Sequence, residues 1–116
     1  MDNIISIEEQ EFTLIGKNTR LNGIFNFSGL THIAGSLEGD VHIKDQSLLT
    51  IEETSRIEGK INCADLKVFG TIKGEIISTG KVEIFPSGSL SGVIKSQHLV
   101  IHPGAIMNID GHTTGS

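Results

Sequence analysis

The segment from Arg56 to Gly74, RIEGKINCADLKVFGTIKG, ends on the pattern with which it begins. Ile57 stands two residues before Gly59, Ile61 and Cys63 follow at two-residue steps, Leu66 and Val68 repeat the step, and Ile72-Lys73-Gly74 restores the opening. Most of the remaining chain lies over this unit. Anchor glycines stand at Gly23, Gly39, Gly59, Gly74 and Gly92, with Asn108 read as the sixth equivalent, so the intervals are 16, 20, 15, 18 and 16 residues. Two before each anchor stand Leu21, Leu37, Ile57, Ile72, Leu90 and Ile106. Two after the first five stand Phe25, Val41, Ile61, Ile76 and Ile94, and four after them Phe27, Ile43, Cys63, Ser78 and Ser96. Later in each unit come Thr31/Ile33, Leu49/Ile51, Leu66/Val68, Val82/Ile84 and Leu99/Ile101. All these steps keep a period of two, the period of a strand, and none sustains a helical period.

Each unit therefore reads as one winding of short strands joined by corners, roughly 16 residues around. Such strands cannot bury their apolar side alone. Stacking the next winding about 4.8 Å above gives every inward side chain a like neighbour. The expected fold is an all-β solenoid of about six coils with parallel sheets. Burying an aliphatic side chain is worth about 1.5–3 kcal/mol, and ordering a residue costs about 1.5 kcal/mol. One coil could not offset its own entropy, so stability must be shared between neighbours. Composition agrees: 14 glycines suit many corners, and β-branched residues suit strands.

The outward positions separate into charged and apolar columns. One after each anchor this reading places Ile24, Asp40, Lys60, Glu75, Val93 and Ile109, with alternating charge in the middle and apolar residues toward both ends. Leu14 and Val100 follow the same trend. These five, Leu14, Ile24, Val93, Val100 and Ile109, are the candidates for a polymerisation interface, because exposed apolar side chains gathered where a stack ends mark a contact surface. Phe69 and Phe85 each follow an inward residue, one coil apart. They are candidates for lateral contact, although folding into a corner is the plainer role.

The chemistry of an active site is missing. His98 and His102 lie four apart, but in a strand and corner, not on a helix. The five histidines show no zinc spacing, and no metal or cofactor is expected. Cys63 reads as a small inward filler without a neighbouring base. Asp40, Glu58, Glu75 and Glu83 fall in outward columns beside lysines and read as a solvated face. The glycines form no phosphate-binding loop. A net charge of −5 without a Lys/Arg cluster argues against nucleic acid. The single cysteine allows no internal disulfide, no stretch is long and apolar enough for a membrane span, and the start lacks a signal-peptide pattern, so cytoplasm is the expected compartment.

Four runs carry a family resemblance: Thr13-Leu14-Ile15-Gly16 through Gly23, and the recurring turns Leu37-Glu38-Gly39-Asp40-Val41, Ile57-Glu58-Gly59-Lys60-Ile61 and Ile72-Lys73-Gly74-Glu75-Ile76. With them the chain resembles the bactofilins, bacterial cytoskeletal proteins, over about residues 12 to 111. The resemblance implies a single-stranded right-handed parallel β-helix of triangular cross-section. It also implies nucleotide-independent filaments joined end to end, which recruit cell-wall enzymes or shape the cell, and no catalytic residues. The expected organisation is a short flexible N-terminal tail over 1–11, the β-helix over 12–111 and a C-terminal tail over 112–116. Partners implied are the chain itself, cell-wall enzymes and membrane-associated proteins. Family members often carry a short membrane-binding segment; residues 1–7 would serve here at the inner face of the cytoplasmic membrane, against the acidic Glu8, Glu9 and Glu11 beside them. Two other readings stand beside this one: a solenoid binding module that does not polymerise, and a relative of hexapeptide-repeat acyltransferases. The latter class keeps stricter six-residue spacing and needs a catalytic histidine and a long loop.

Overall fold

The computed structural model describes residues 4–7 and 12–113, and the side chains of residues 14–108. Its elements are strands throughout. In chain order they are β1 (Ile4–Ile7), β2 (Phe12–Ile15), β3 (Arg20–Phe27), β4 (Leu30–Ile33), β5 (Ser36–Ile43), β6 (Leu48–Ile51), β7 (Arg56–Cys63), β8 (Asp65–Val68), β9 (Thr71–Ser78), β10 (Lys81–Ile84), β11 (Ser89–Ser96), β12 (His98–Ile101) and β13 (Ile106–Thr113). Odd-numbered strands form one sheet in the order β1-β3-β5-β7-β9-β11-β13; even-numbered strands form a second in the order β12-β10-β8-β6-β4-β2. Every pairing is parallel, and each joins a strand to its equivalent one coil away. A short strand and the long strand after it make one coil. The described residues thus wind six times, from β2–β3 to β12–β13, as a parallel β-solenoid.

The long strands bend where the anchor glycines sit. Gly23, Gly39, Gly59, Gly74 and Gly92 all have φ between 124° and 135°, a region closed to side chains with a Cβ. They also stack directly on one another in register. A Cβ placed on Gly59 would stand 1.9 Å from the Gly39 carbonyl oxygen. The column therefore turns the chain at one corner while letting backbones meet at that corner without spacing side chains.

Inward residues fill the stack in columns. Leu37, Ile57, Ile72 and Leu90 form one wall, Val41, Ile61, Ile76 and Ile94 a second, and Ile33, Ile51, Val68 and Ile84 a third, all within about 1% of full burial. Cys63, Ser78 and Ser96 continue the column of Phe27 and Ile43 and are buried too. At the corners, backbone ladder bonds continue: the N–H groups of Glu52, Phe69, Phe85 and His102 donate to the carbonyls of Ile33, Ile51, Val68 and Ile84 at 2.8–3.0 Å. Side chains complete other corners. Asp45 accepts from the Gly29 and Ser47 N–H groups, and Asp65 from that of Lys81.

Two expectations are corrected. Gly92 pairs with Ile109, so the sixth anchor position is Ile109 and not Asn108, and Met107 replaces Ile106 in the inward wall. Met107 packs against the core, whereas Ile106 is 64% exposed. Asp110, not Ile109, then stands above Val93. The second concerns the N-terminal segment. Ile4–Ile7 pairs with Ile24–Phe27 as an added strand, where a tail had been expected over 1–11. The edge of β3 would otherwise leave unpaired N–H and C=O groups beside inward Phe25 and Phe27, which are 0% and 1% exposed.

Candidate assembly surfaces

A stack of coils has two ends, and each end presents what no further coil covers. At the C-terminal end, β12 is the edge of one sheet and β13 of the other. Ile101 belongs to the inward column of Ile33, Ile51, Val68 and Ile84, yet it is 46% exposed because no described strand lies above it. Leu99 is half-buried for the same reason, and Val100 and Ile106 are exposed beside them. Protected edge strands carry charges, prolines or bulges. The sequence of β12, His98-Leu99-Val100-Ile101, has no lysine, carboxylate or proline.

The N-terminal end differs. Strand β1 covers half of the β3 edge, while among the described residues β2 is the edge of its sheet. Leu14 on β2 is 61% exposed, and Ile15 and Leu21 are half-buried.

The five interface candidates do not lie together. Leu14 and Val100 sit on the two terminal strands of the same sheet, at opposite ends. Ile24 lies between Ile4 and Asp40, inside the stack, and Val93 between Glu75 and Asp110, one coil from the end; both are half-buried. The Ile109 side chain lies outside the described ones. Sequence reasoning missed Ile101, Ile106 and Leu99 because it sought outward apolar residues. The face of a solenoid end is made instead of the inward residues of its last coil. The available signal was that whichever coil comes last must expose them.

Phe69 and Phe85 do meet, with ring centroids 4.2 Å apart and planes 10° apart, and His102 extends the stack at 4.7 Å from Phe85. The ladder bonds of the three residues set this spacing. The same corner column runs Gly16, Ala34, Glu52, Phe69, Phe85, His102 from first coil to last. It changes from small to aromatic along the stack. At its small end lies an apolar recess of about 410 Å³ bounded by Leu14, Gly16, Lys17, Ala34 and the Glu52–Thr54 corner.

The ionisable groups make paired surface contacts. His102 Nε2 lies 2.7 Å from Glu83 Oε2, and His32 Nδ1 lies 2.6 Å from Glu52 Oε2. The Glu83 carboxyl is held below its usual range, first by the His102 hydrogen bond, with partial burial opposing and the Lys81 charge adding. Lys60 and Glu75 sit 3.8 Å apart on adjacent coils, both well exposed, so the pair marks register more than it stabilises. Burial, with the Asp65 charge adding, pushes the Cys63 thiol up to about 12. Among the described residues, no three His, Cys, Asp or Glu side chains gather where they could hold a metal ion. Nor is any described helix long and apolar enough to cross a membrane.

A family model described as bactofilin, polymer-forming cytoskeletal, matches residues 13–114. The chain belongs to the bactofilin family. Among curated bactofilins it is similar to "Bactofilin BacO" of Myxococcus xanthus (strain DK1622), with 26% identity over 93 residues, covering 80% of this chain and 72% of that protein. No solved structure matches the chain. The matched span begins on β2 and takes in all six coils.

Proposed function

We propose that copies of this chain join through the ends of their solenoids into filaments that need no nucleotide. The filaments would act as a scaffold that supports cell shape or gathers cell-wall enzymes at the inner face of the cytoplasmic membrane. The observation that carries the reading is the C-terminal rim: Ile101, an inward core residue, is half open to solvent on an uncharged edge strand. A second copy covering that rim would bury Ile101, Leu99 and Ile106 and extend both parallel ladders at once. Family membership supports the polymer-forming part of the reading. Strand β1 lies on the opposite rim, so the two ends offer different surfaces.

The test is electron microscopy of the purified protein without nucleotide or metal, alongside Ile101→Glu and Ile106→Glu. Both sites are open in the single molecule, so each variant should keep its fold to within about 0.5 kcal/mol while filaments disappear. Unchanged filaments in both variants would place the joint elsewhere. A monodisperse small species for the unaltered chain at high concentration would support a binding module instead.

A further inference from the structure

The outward face of the even-numbered sheet is complementary to itself when turned end for end. Its main outward column reads Leu14, His32, Thr50, Lys67, Glu83, Val100 from coil one to coil six. Laid against a reversed copy of itself, this column sets Leu14 opposite Val100, His32 opposite Glu83 and the position of Thr50, itself only 5% exposed, opposite Lys67. Apolar meets apolar at the ends; inside them His32, which also contacts Glu52 of its own copy, meets Glu83, which also contacts His102 of its own; and no like charges meet. The second outward column sets Leu30 opposite Lys81 and Leu48 opposite Asp65, again without like charges. The corner beside the face gives the steric counterpart. Reversal sets His102 opposite Gly16 and Phe85 opposite Ala34, so the ring stack of one copy enters the apolar recess of the other. Glu52, opposite Phe69, is turned toward His32, 2.6 Å away.

We propose that this face and corner form a two-fold lateral contact with a second copy of the chain, the two solenoids running antiparallel and each aromatic ridge seated in the other's recess. A two-fold contact uses the same patch twice, which is the arrangement a self-complementary column satisfies. The alternative with both solenoids pointing the same way would lay each coil against its own equivalent. It would also carry the ridge away from the recess, leaving both uncovered.

The face is small. Six strands about 4.8 Å apart and four residues of about 3.3 Å give roughly 380 Å² per copy, well below the roughly 800 Å² of a stable pair. An isolated pair is therefore short-lived. Copies held in a row would add their contacts and become firmly joined side by side. The lateral contact uses coils two to five as well as the outer ones, and is separate from the end joint proposed above.

Cross-linking decides it. His32→Cys and Glu83→Cys chains are prepared separately, mixed at high concentration and treated with a bis-maleimide spanning the ~10 Å between packed sheets. Native Cys63 is buried and does not compete. Across an end joint the two positions stand three coil spacings apart, roughly 14 Å, out of reach. Linked dimer in the mixture, several-fold above either variant alone, is the expected result. Equal linking of each variant with itself would mean the same-direction arrangement and overturn the proposal, as would no linking at all. Ala34→Leu, which fills the recess and leaves the C-terminal rim unaltered, should abolish the mixed cross-link; an undiminished yield would remove the ridge-in-recess contact. Microscopy of the same samples reads the filaments independently, so a failed end joint and a failed lateral contact leave different records.

Discussion

Replacing Gly59 by alanine should destabilise the fold more than any surface change in this chain, for two separable reasons. The residue has φ near 135°, and holding an L-residue in such a region costs about 1–3 kcal/mol. The new Cβ would also stand 1.9 Å from the Gly39 carbonyl oxygen, a backbone atom with no rotamer to escape through. The coils must part locally, and if two ladder hydrogen bonds are weakened the further loss is about 1–3 kcal/mol. The expected cost is thus about 2–6 kcal/mol, or a fall of roughly 8–24 °C in the melting midpoint at about 4 °C per kcal/mol for a domain of this size. Gly16 is the control, because a Cβ there meets nothing within 4 Å and its φ is not positive. Gly16→Ala should leave the midpoint unchanged or raise it, in line with the ~0.4–1 kcal/mol gained when a compatible glycine is replaced. The assay is thermal denaturation followed by far-ultraviolet circular dichroism. A Gly59→Ala midpoint within about 2 °C of the unaltered protein would refute the glycine-column reasoning, and so would equal losses at the two sites.

Three further outcomes follow from the described contacts. Phe85→Ala removes two ring stacks, each worth about 0.5–1.5 kcal/mol beyond area, and should cost about 1–3 kcal/mol in urea unfolding; Ala at Phe69 removes one stack and should cost less. The lowered Glu83 carboxyl contributes stability that is fully present above its unfolded pKa, about 4.3, and lost as pH falls through the lower folded value. The midpoint difference between the unaltered protein and Glu83→Gln should therefore be largest above about pH 5 and shrink toward about pH 3, and a difference unchanged across that range would contradict the assignment. Cys63, buried and with its thiol pushed up to about 12, should react with a thiol reagent only in denaturant; rapid labelling of the native protein would show that the core opens readily.

The solenoid was legible because its two strongest signals are local. Period-two alternation and recurring glycines need no tertiary knowledge, and they placed Leu37, Ile57, Ile72 and Leu90 in one wall correctly. The last coil was misread by one position because its anchor is not a glycine. Ile106–Asn108 and Met107–Ile109 then look alike by composition. Parity around the corner separates them: from Ile84 to Leu90 and from Ile101 to Met107 the step is six residues, which keeps the inward phase, while Ile106 would break it. Pro86 and Pro103 occupy the same corner place and point to the same register. Strand β1 was hidden for a different reason. A four-residue segment followed by acids has no repeat to match, and its partner edge exists only once the first coil has formed. The recess and the aromatic ridge were half legible: Phe69 and Phe85 were paired from spacing, but His102 joined them only through the corner ladder.

Electron diffraction from aligned filaments of the purified protein tests the end-joined scaffold most directly. Copies stacked rim to rim keep their strands across the filament axis, so the ~4.8 Å strand spacing should appear along that axis. The same spacing at right angles to it, in filaments that survive Ile101→Glu, would mean that the copies assemble by their sides alone and that the open C-terminal rim is not the joint.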